Sequence, residues 1–291
     1  MNRLCAFASA TVLVLSSAAW ADPTVVTFES AGATPASITA TRDAFRVAVG
    51  GGAVAGANGS FGGLRREINW DGVPAAQSDP GALPANFFNV NSPRGVVFST
   101  PGTGFLVSAN AGGATPTLFG FGNEFQAFSA QKLFTAVSSN ITDVRFFLPG
   151  TTTLATTSAF GLIFVDVEVF GSTRIDFFDE NDALFYSRTA LVAGNQGLSF
   201  LGGTVSGGSI GRVRITSGLN TIVSNGVVGN LVDDLVVMDD FLYAEPLQAV
   251  LAVPEPSALA LTTLGLLSGV GWLRRRRQAA LRRTGTLGPV R

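Results

Sequence analysis

The sequence predicts an all-β fold, an antiparallel β-sandwich, over most of its length. Three observations point that way. The apolar stretches between residues 22 and 250 are short and rich in Val, Phe, Ile and Thr, the residue types that suit a pleated, half-buried surface. Gly, Ser, Thr and Asn interrupt them often, as turns between short strands require. Several stretches alternate apolar with polar residues, which gives a sheet one dry and one wet face.

Taken in order, Thr24–Phe28 reads as the first strand and Ala44–Val49 as the second. Residues 50–63 are glycine-rich and read as a loop, and residues 72–94 as a long Pro/Asn/Ala connection. Gly95–Phe98 and Phe105–Ser108 suggest a hairpin about Pro101-Gly102. The clearest strands follow: Thr142–Leu148, Phe160–Phe170, Arg174–Phe178, Ala183–Ser187, Gly211–Ile215 and Leu235–Tyr243. Within them Val165-Asp166-Val167-Glu168-Val169 alternates, which sets two carboxylates on one wet face. Arg212-Val213-Arg214-Ile215 alternates too, and the polar run Asp179–Asp182 reads as a hairpin turn. Two stacked sheets bury so many half-apolar strands most simply.

The two ends differ from this middle. Met1-Asn2-Arg3 precedes an apolar run through Leu15, and Ala19-Trp20-Ala21 supplies a small-x-small pattern before Asp22. That is the layout of a secretory signal peptide over residues 1–21. At the other end Val253, Pro254, Glu255 and Pro256 precede an uncharged stretch, Ala258–Leu273, followed by Arg274, Arg275, Arg276 and Arg277. As a helix this stretch spans about 24 Å at ~1.5 Å per residue, close to a bilayer core once arginines snorkel. The positive-inside bias keeps the arginines cytoplasmic. The expected organisation is therefore a signal peptide (1–21), an exported domain (22–250), a transmembrane sorting segment (251–277) and a basic tail (278–291).

Composition narrows the function of the exported part. Residues 22–256 carry all 20 acidic side chains of the chain and eleven of its 19 basic ones, a formal charge of −9. Such a balance argues against nucleic acid as a partner. The same residues contain neither cysteine nor histidine, because Cys5 lies in the leader and the chain has no His. Disulfides, Ser-His and Cys-His catalysis and His-ligated zinc are thereby excluded. A metal would have to be hard and oxygen-liganded, and calcium is the natural choice. Glu29 at the end of the first strand and Asp239 with Asp240 in the last are the candidate ligands, on the expectation that terminal strands lie side by side. Asp233 and Asp234 either add ligands or form an exposed turn. Trp70, between Asn69 and Asp71, is the candidate for stacking on a sugar ring, or else closes one end of the sandwich. Asp166 and Glu168 have a spacing that a glycosidase pair permits, but they would point the same way rather than flank a sugar.

The block Val253-Pro254-Glu255-Pro256, hydrophobic segment and Arg274–Arg277 resembles the PEP-CTERM sorting signal of Gram-negative bacteria. The resemblance implies recognition by an exosortase-type membrane enzyme after passage through the secretion translocon, then display at the cell surface or release. Fourteen residues follow the arginines, where such signals end sooner. Five phrases of the middle, Asn86–Gly95, Asp176–Asp179, Leu198–Gly202, Arg212–Gly218 and Val237–Tyr243, resemble the jelly-roll ectodomain that accompanies these signals. The function so implied is a structural or adhesive surface or matrix protein rather than an enzyme. Carbohydrate binding, with surface polysaccharide as partner, is the alternative, and glycan hydrolysis comes last. Because the only cysteine lies in the leader, dithiothreitol in metal-free buffer is expected to leave the melting temperature of the mature protein unchanged; a reproducible shift would contradict the cleavage site.

Overall fold

A computed structural model describes residues 23–113, 115–224, 227–229, 234–248 and 272–276. Residues 1–249 and 250–291 are two separate compact units. In the first, twelve principal strands and two helices are described: β1 (Thr24–Gly32), α1 (Pro35–Val49), β2 (Arg65–Ile68), α2 (Phe87–Val90), β3 (Val96–Ser99), β4 (Gly104–Val107), β5 (Phe134–Val137), β6 (Ile141–Phe146), β7 (Ala159–Val165), β8 (Arg174–Phe178), β9 (Leu184–Thr189), β10 (Leu198–Ser206), β11 (Arg212–Thr216) and β12 (Val237–Ala244).

The strands form two main sheets, and every pairing among these twelve is antiparallel. The larger sheet runs β1-β10-β7-β12; β12 then pairs with β2 along one part and with β5 along another, and β4 lies beyond β5. The smaller runs β9-β8-β11-β6-β3. Phe160, Leu162 and Phe164 of β7 and Met238, Phe241 and Tyr243 of β12 share one buried cluster with Val144 and Phe146 of β6 and with Ile175, Phe177, Val213 and Ile215. The two sheets therefore meet across a common apolar core, as the alternating strands predict.

The larger sheet is dry on its second face as well. Ile163 and Val165 of β7, Phe200 of β10 and Leu242 of β12 pack in a second cluster with Ile38 and Phe45 of α1 and with Phe119 and Phe125 of the segment before β5. Both faces covered explains why all seven residues of β7 are buried. Helix α1 replaces the strand expected at Ala44–Val49. Pro35 opens it after Thr34, Gly50 ends it, and Ile38 and Phe45 lie two turns apart on its buried side. The helix sits close because Gly161 and Gly202 pair across β7 and β10. A Cβ on Gly202 would come within 3.1 Å of the Phe45 ring.

Two further expectations are corrected. β3 and β4 do not form a hairpin, because β3 belongs to the smaller sheet and β4 to the larger, so the Pro101-Gly102 turn carries the chain between layers. The alternating run after Val165 is not strand: β7 stops there and Asp166 turns into the left-handed region at φ 74°. Asp166 is buried, its Oδ1 accepting the Gln196 N–H at 2.7 Å, so it and Glu168 do not share a wet sheet face. The hairpin at Asp179–Asp182 is as expected, with Asp179 Oδ1 accepting from the N–H groups of Asn181 and Ala183.

In the second unit, residues 272–276 are helical, with the Arg276 guanidinium 4.0 Å from the Trp272 ring centre. The signal peptide, the Val253–Pro256 motif, Ala258 to residue 271 and Arg277 lie outside the described residues. Among those described, no helix is long and apolar enough to cross a membrane.

Phe45 joins α1 to the sheet through Phe28 and Phe200, at centroid distances of 5.5 and 5.6 Å. Phe45→Ala is expected to cost about 3–5 kcal/mol, the usual range for emptying a buried aromatic site. Urea unfolding monitored by near-ultraviolet dichroism measures it, and a loss below ~1 kcal/mol would show that α1 is not part of the core.

Candidate functional site: a polar cleft beside the bulge of β12

The most distinctive backbone feature of the larger sheet is a bulge in β12. Met238 pairs with Phe164 and Phe241 with Leu162, so three steps on β12 face two on β7. The extra residue lets Met238 and Phe241 both enter the inter-sheet core while Asp239 and Asp240 sit between them. Strands bend and side chains are re-aimed at such places.

Trp70 anchors the bulge. It lies just past β2, the partner of β12, with φ 65° and 1% of its surface exposed. Its ring stacks on Phe134 at 4.1 Å and meets Phe88 and Phe241 edge-on. Its indole N–H donates to the Asp239 carbonyl at 2.9 Å. The sugar-stacking expectation for Trp70 is therefore corrected: its ring faces are spent inside the core, where an apolar body with one polar handle is well satisfied.

The Asp239 carboxylate is also buried, and it ties down the segment before β5. Oδ2 accepts the Phe128 N–H at 2.6 Å, and Oδ1 accepts from Ser129 Oγ at 3.1 Å. Burial, first, and the adjacent Asp240 charge push Asp239 well above the ordinary carboxylate range. Asp240 is 4% exposed. Its Oδ1 has no hydrogen-bond partner among the described residues. Burial lifts Asp240 to about 6, with Glu67 adding to the rise and Ser129, Asp239 and Arg46 opposing it.

Asp240 lines a cleft of about 940 Å³. Helix α1 contributes Arg42, Asp43 and Arg46, the glycine-rich loop contributes residues 50–55, and β2 contributes Arg65 and Glu67. Glu67 pairs with Leu242 across the ladder, two residues from Asp240, so the two carboxylates are neighbours on one sheet face. Glu67 accepts from Arg46 Nη2 at 2.5 Å and from Arg65 Nε at 2.7 Å. Arg65 also donates to the Gly50 carbonyl at 2.6 Å, capping the end of α1 with a cation, and its guanidinium lies 4.4 Å from the Phe61 ring centre. Burial alone would lower the Arg46 pKa, but the hydrogen bond and charge of Glu67 raise it overall. Gly51 takes φ 106°, and a Cβ there would sit 2.3 Å from the Phe61 carbonyl, so the loop that walls the cleft requires glycine.

Glu29 is elsewhere. Its strand, β1, pairs only with β10 among the described strands, and its register runs through Leu201 and Leu162 to Phe241. Three ladder steps at ~4.8 Å place Glu29 about 14 Å from β12. Its carboxylate is engaged by Arg188 on β9 at 2.8 and 2.5 Å. The calcium site expected from Glu29 with Asp239 and Asp240 is therefore not assembled, because the terminal strands are separated by β10 and β7. No group of three or more acidic side chains placed to hold a metal occurs among the described residues. Asp234 is buried rather than in an exposed turn, its Oδ1 accepting the N–H groups of Glu168 and Val169; Asp233 is outside the described residues.

The aspartate pair was visible in the sequence, whereas Arg42, Arg46 and Arg65 were missed. The usable signal was Arg42 and Arg46 one helical turn apart before Gly50-Gly51-Gly52, followed by Arg65-x-Glu67 on one strand face. No protein-family model, curated protein sequence or solved structure matches this chain.

The titration of Asp240 has a definite sign. Its folded pKa of about 6 lies above the ordinary 3.8, so the folded state holds more protons than the unfolded chain between these values. Stability should fall as pH rises from about 4 through 6. Asp240→Asn is expected to raise the melting temperature at pH 7 and to flatten this slope; a lower melting temperature in the variant would show that the charge is stabilised in place.

Proposed function

We propose that this chain is an exported cell-surface or extracellular-matrix protein with a structural or adhesive role, sorted through its C-terminal block. One observation carries the reading: the β-rich unit closes at Ala249, just before Val253-Pro254-Glu255-Pro256. A sorting enzyme needs its motif outside the folded domain, and the division of the chain after residue 249 supports the reading. In this reading residues 1–21 direct the chain to the secretion translocon, Pro254, Glu255 and Pro256 are read by an exosortase-type enzyme, and Arg274–Arg277 hold the last segment on the cytoplasmic side. The β-rich unit is a jelly-roll-like binding module and not an enzyme. Carbohydrate binding is the second reading, and the cleft beside Asp240 favours it over a featureless surface. Hydrolysis is disfavoured because Glu67 and Asp240 lie side by side on one face, with Glu67 committed to two arginines, rather than opposed across a sugar.

Intact-mass measurement of protein recovered from the cell exterior tests the proposal. The expected species begins at Asp22 and lacks residues 257–291. An external species that retains Arg274–Arg277 would overturn the sorting step. Glu255→Ala is expected to leave the unprocessed chain in the membrane fraction with an unaltered melting temperature of the β-rich unit, because residue 255 falls outside residues 1–249.

A further inference from the structure

The cleft walls restrict what it can hold. Three guanidinium groups and three carboxylates line it, so the formal charges cancel. The cations are also committed. Arg42 and Arg46 bind Asp43 at 2.8 and 3.2 Å, Arg46 and Arg65 share Glu67, and Arg65 donates to backbone carbonyls. An anionic ligand would have to break these pairs, at the cost of leaving carboxylates uncompensated in a partly buried site. A cationic ligand would find Asp43 and Glu67 already paired with arginines and would have to displace them. A neutral polar ligand faces neither obstacle.

Asp240 supplies the specific contact. It is more than nine-tenths buried, lines the cleft, and its Oδ1 accepts no hydrogen bond from the described residues. Oδ1 itself is enclosed, so a ligand hydroxyl would bond the part of the carboxylate that is open to the cleft and relieve its incomplete hydrogen bonding. Asn69, exposed beside it, offers an amide with both donor and acceptor. Phe61 and the small residues of the 50–55 loop provide apolar wall for the C–H faces of a ring. The volume, about 940 Å³, is near the upper end of the usual ~300–1,000 Å³ range for ligand sites.

We infer that this cleft binds a neutral, hydroxyl-rich ligand of the saccharide class, with Asp240 as the buried acceptor for its hydroxyl groups. The inference rests on the surface-binding reading above and names the chemistry of its ligand.

Calorimetric titration of the full chain, purified in a detergent without a sugar headgroup, tests it. The probes are maltohexaose, cellohexaose and chitohexaose, beside trigalacturonate as the anionic arm and spermidine as the cationic arm. The expected result is saturable binding of at least one neutral hexasaccharide and of neither charged probe. Asp240→Ala should weaken that binding about tenfold or more, the loss of one hydrogen bond to a charged acceptor, whereas Asp240→Asn, which keeps an acceptor oxygen, should stay within about threefold. Asn69→Ala, at the exposed rim, should weaken binding without moving the melting temperature, so an unfolded Asp240→Ala variant does not remove the test. Failure of all three neutral probes, preference for either charged probe, or unchanged binding in both Asp240→Ala and Asn69→Ala overturns the inference. The intact mass of the external protein reports export separately, so a wrong ligand class and a wrong surface assignment give different results.

Discussion

The extra residue in β12 is the constraint on which the rest of the site depends. Without it, Met238 and Phe241 would fall on opposite faces of the larger sheet, and one of them would leave the inter-sheet core. With it, two adjacent carboxylates are drawn into the protein interior. Each polar atom there needs a partner. Trp70 supplies one to the Asp239 carbonyl, and the Phe128–Ser129 backbone and hydroxyl supply two to its carboxylate. The segment before β5 and the residue after β2 are both held by the same strand irregularity. Asp240 is what this arrangement leaves incompletely satisfied.

An incompletely satisfied buried carboxylate lowers stability, and proteins retain such groups mainly where they serve a site. The arginines around it show the opposite economy, since every one of Arg42, Arg46 and Arg65 is paired. The cleft is thus electrostatically quiet at its walls and unsatisfied at its floor. That combination discriminates by hydrogen bonding more than by charge, and it makes the cleft a poor match for the phosphate-rich partners that an arginine cluster alone would suggest.

The strands were legible where one face is wet or the turn chemistry is local. Arg212-Val213-Arg214-Ile215 alternates because Val213 and Ile215 enter the core while both arginines reach Asp143 on the outside. Helix α1 was not legible, since its β-branched residues Ile38, Thr39, Thr41, Val47 and Val49 favour strand and few of its residues are buried. Its existence depends on the second dry face of the larger sheet, a tertiary fact. The site was half legible for the same reason. Asp239 and Asp240 stand out in any reading of the chain, but a bulge is a mismatch between two strands and cannot be seen in one. The assumption that first and last strands adjoin then misdirected Glu29 toward them, and Trp70 among polar neighbours looked exposed because those neighbours point away from the core.

The pairing of β1 has a consequence for how the chain acquires its structure. All nine residues of β1 pair with β10, from Thr24 opposite Ser206 to Gly32 opposite Leu198. A chain made N-terminus first must hold this strand unpaired until most of the domain has followed. The loop to be closed is long, and contacts of such sequence separation form slowly. During that interval β1 presents a bare edge able to pair with any neighbouring copy. α1 is the next element in the chain, and its Phe45 packs against Phe28 of β1 at 5.5 Å, the contact of β1 that is nearest in sequence.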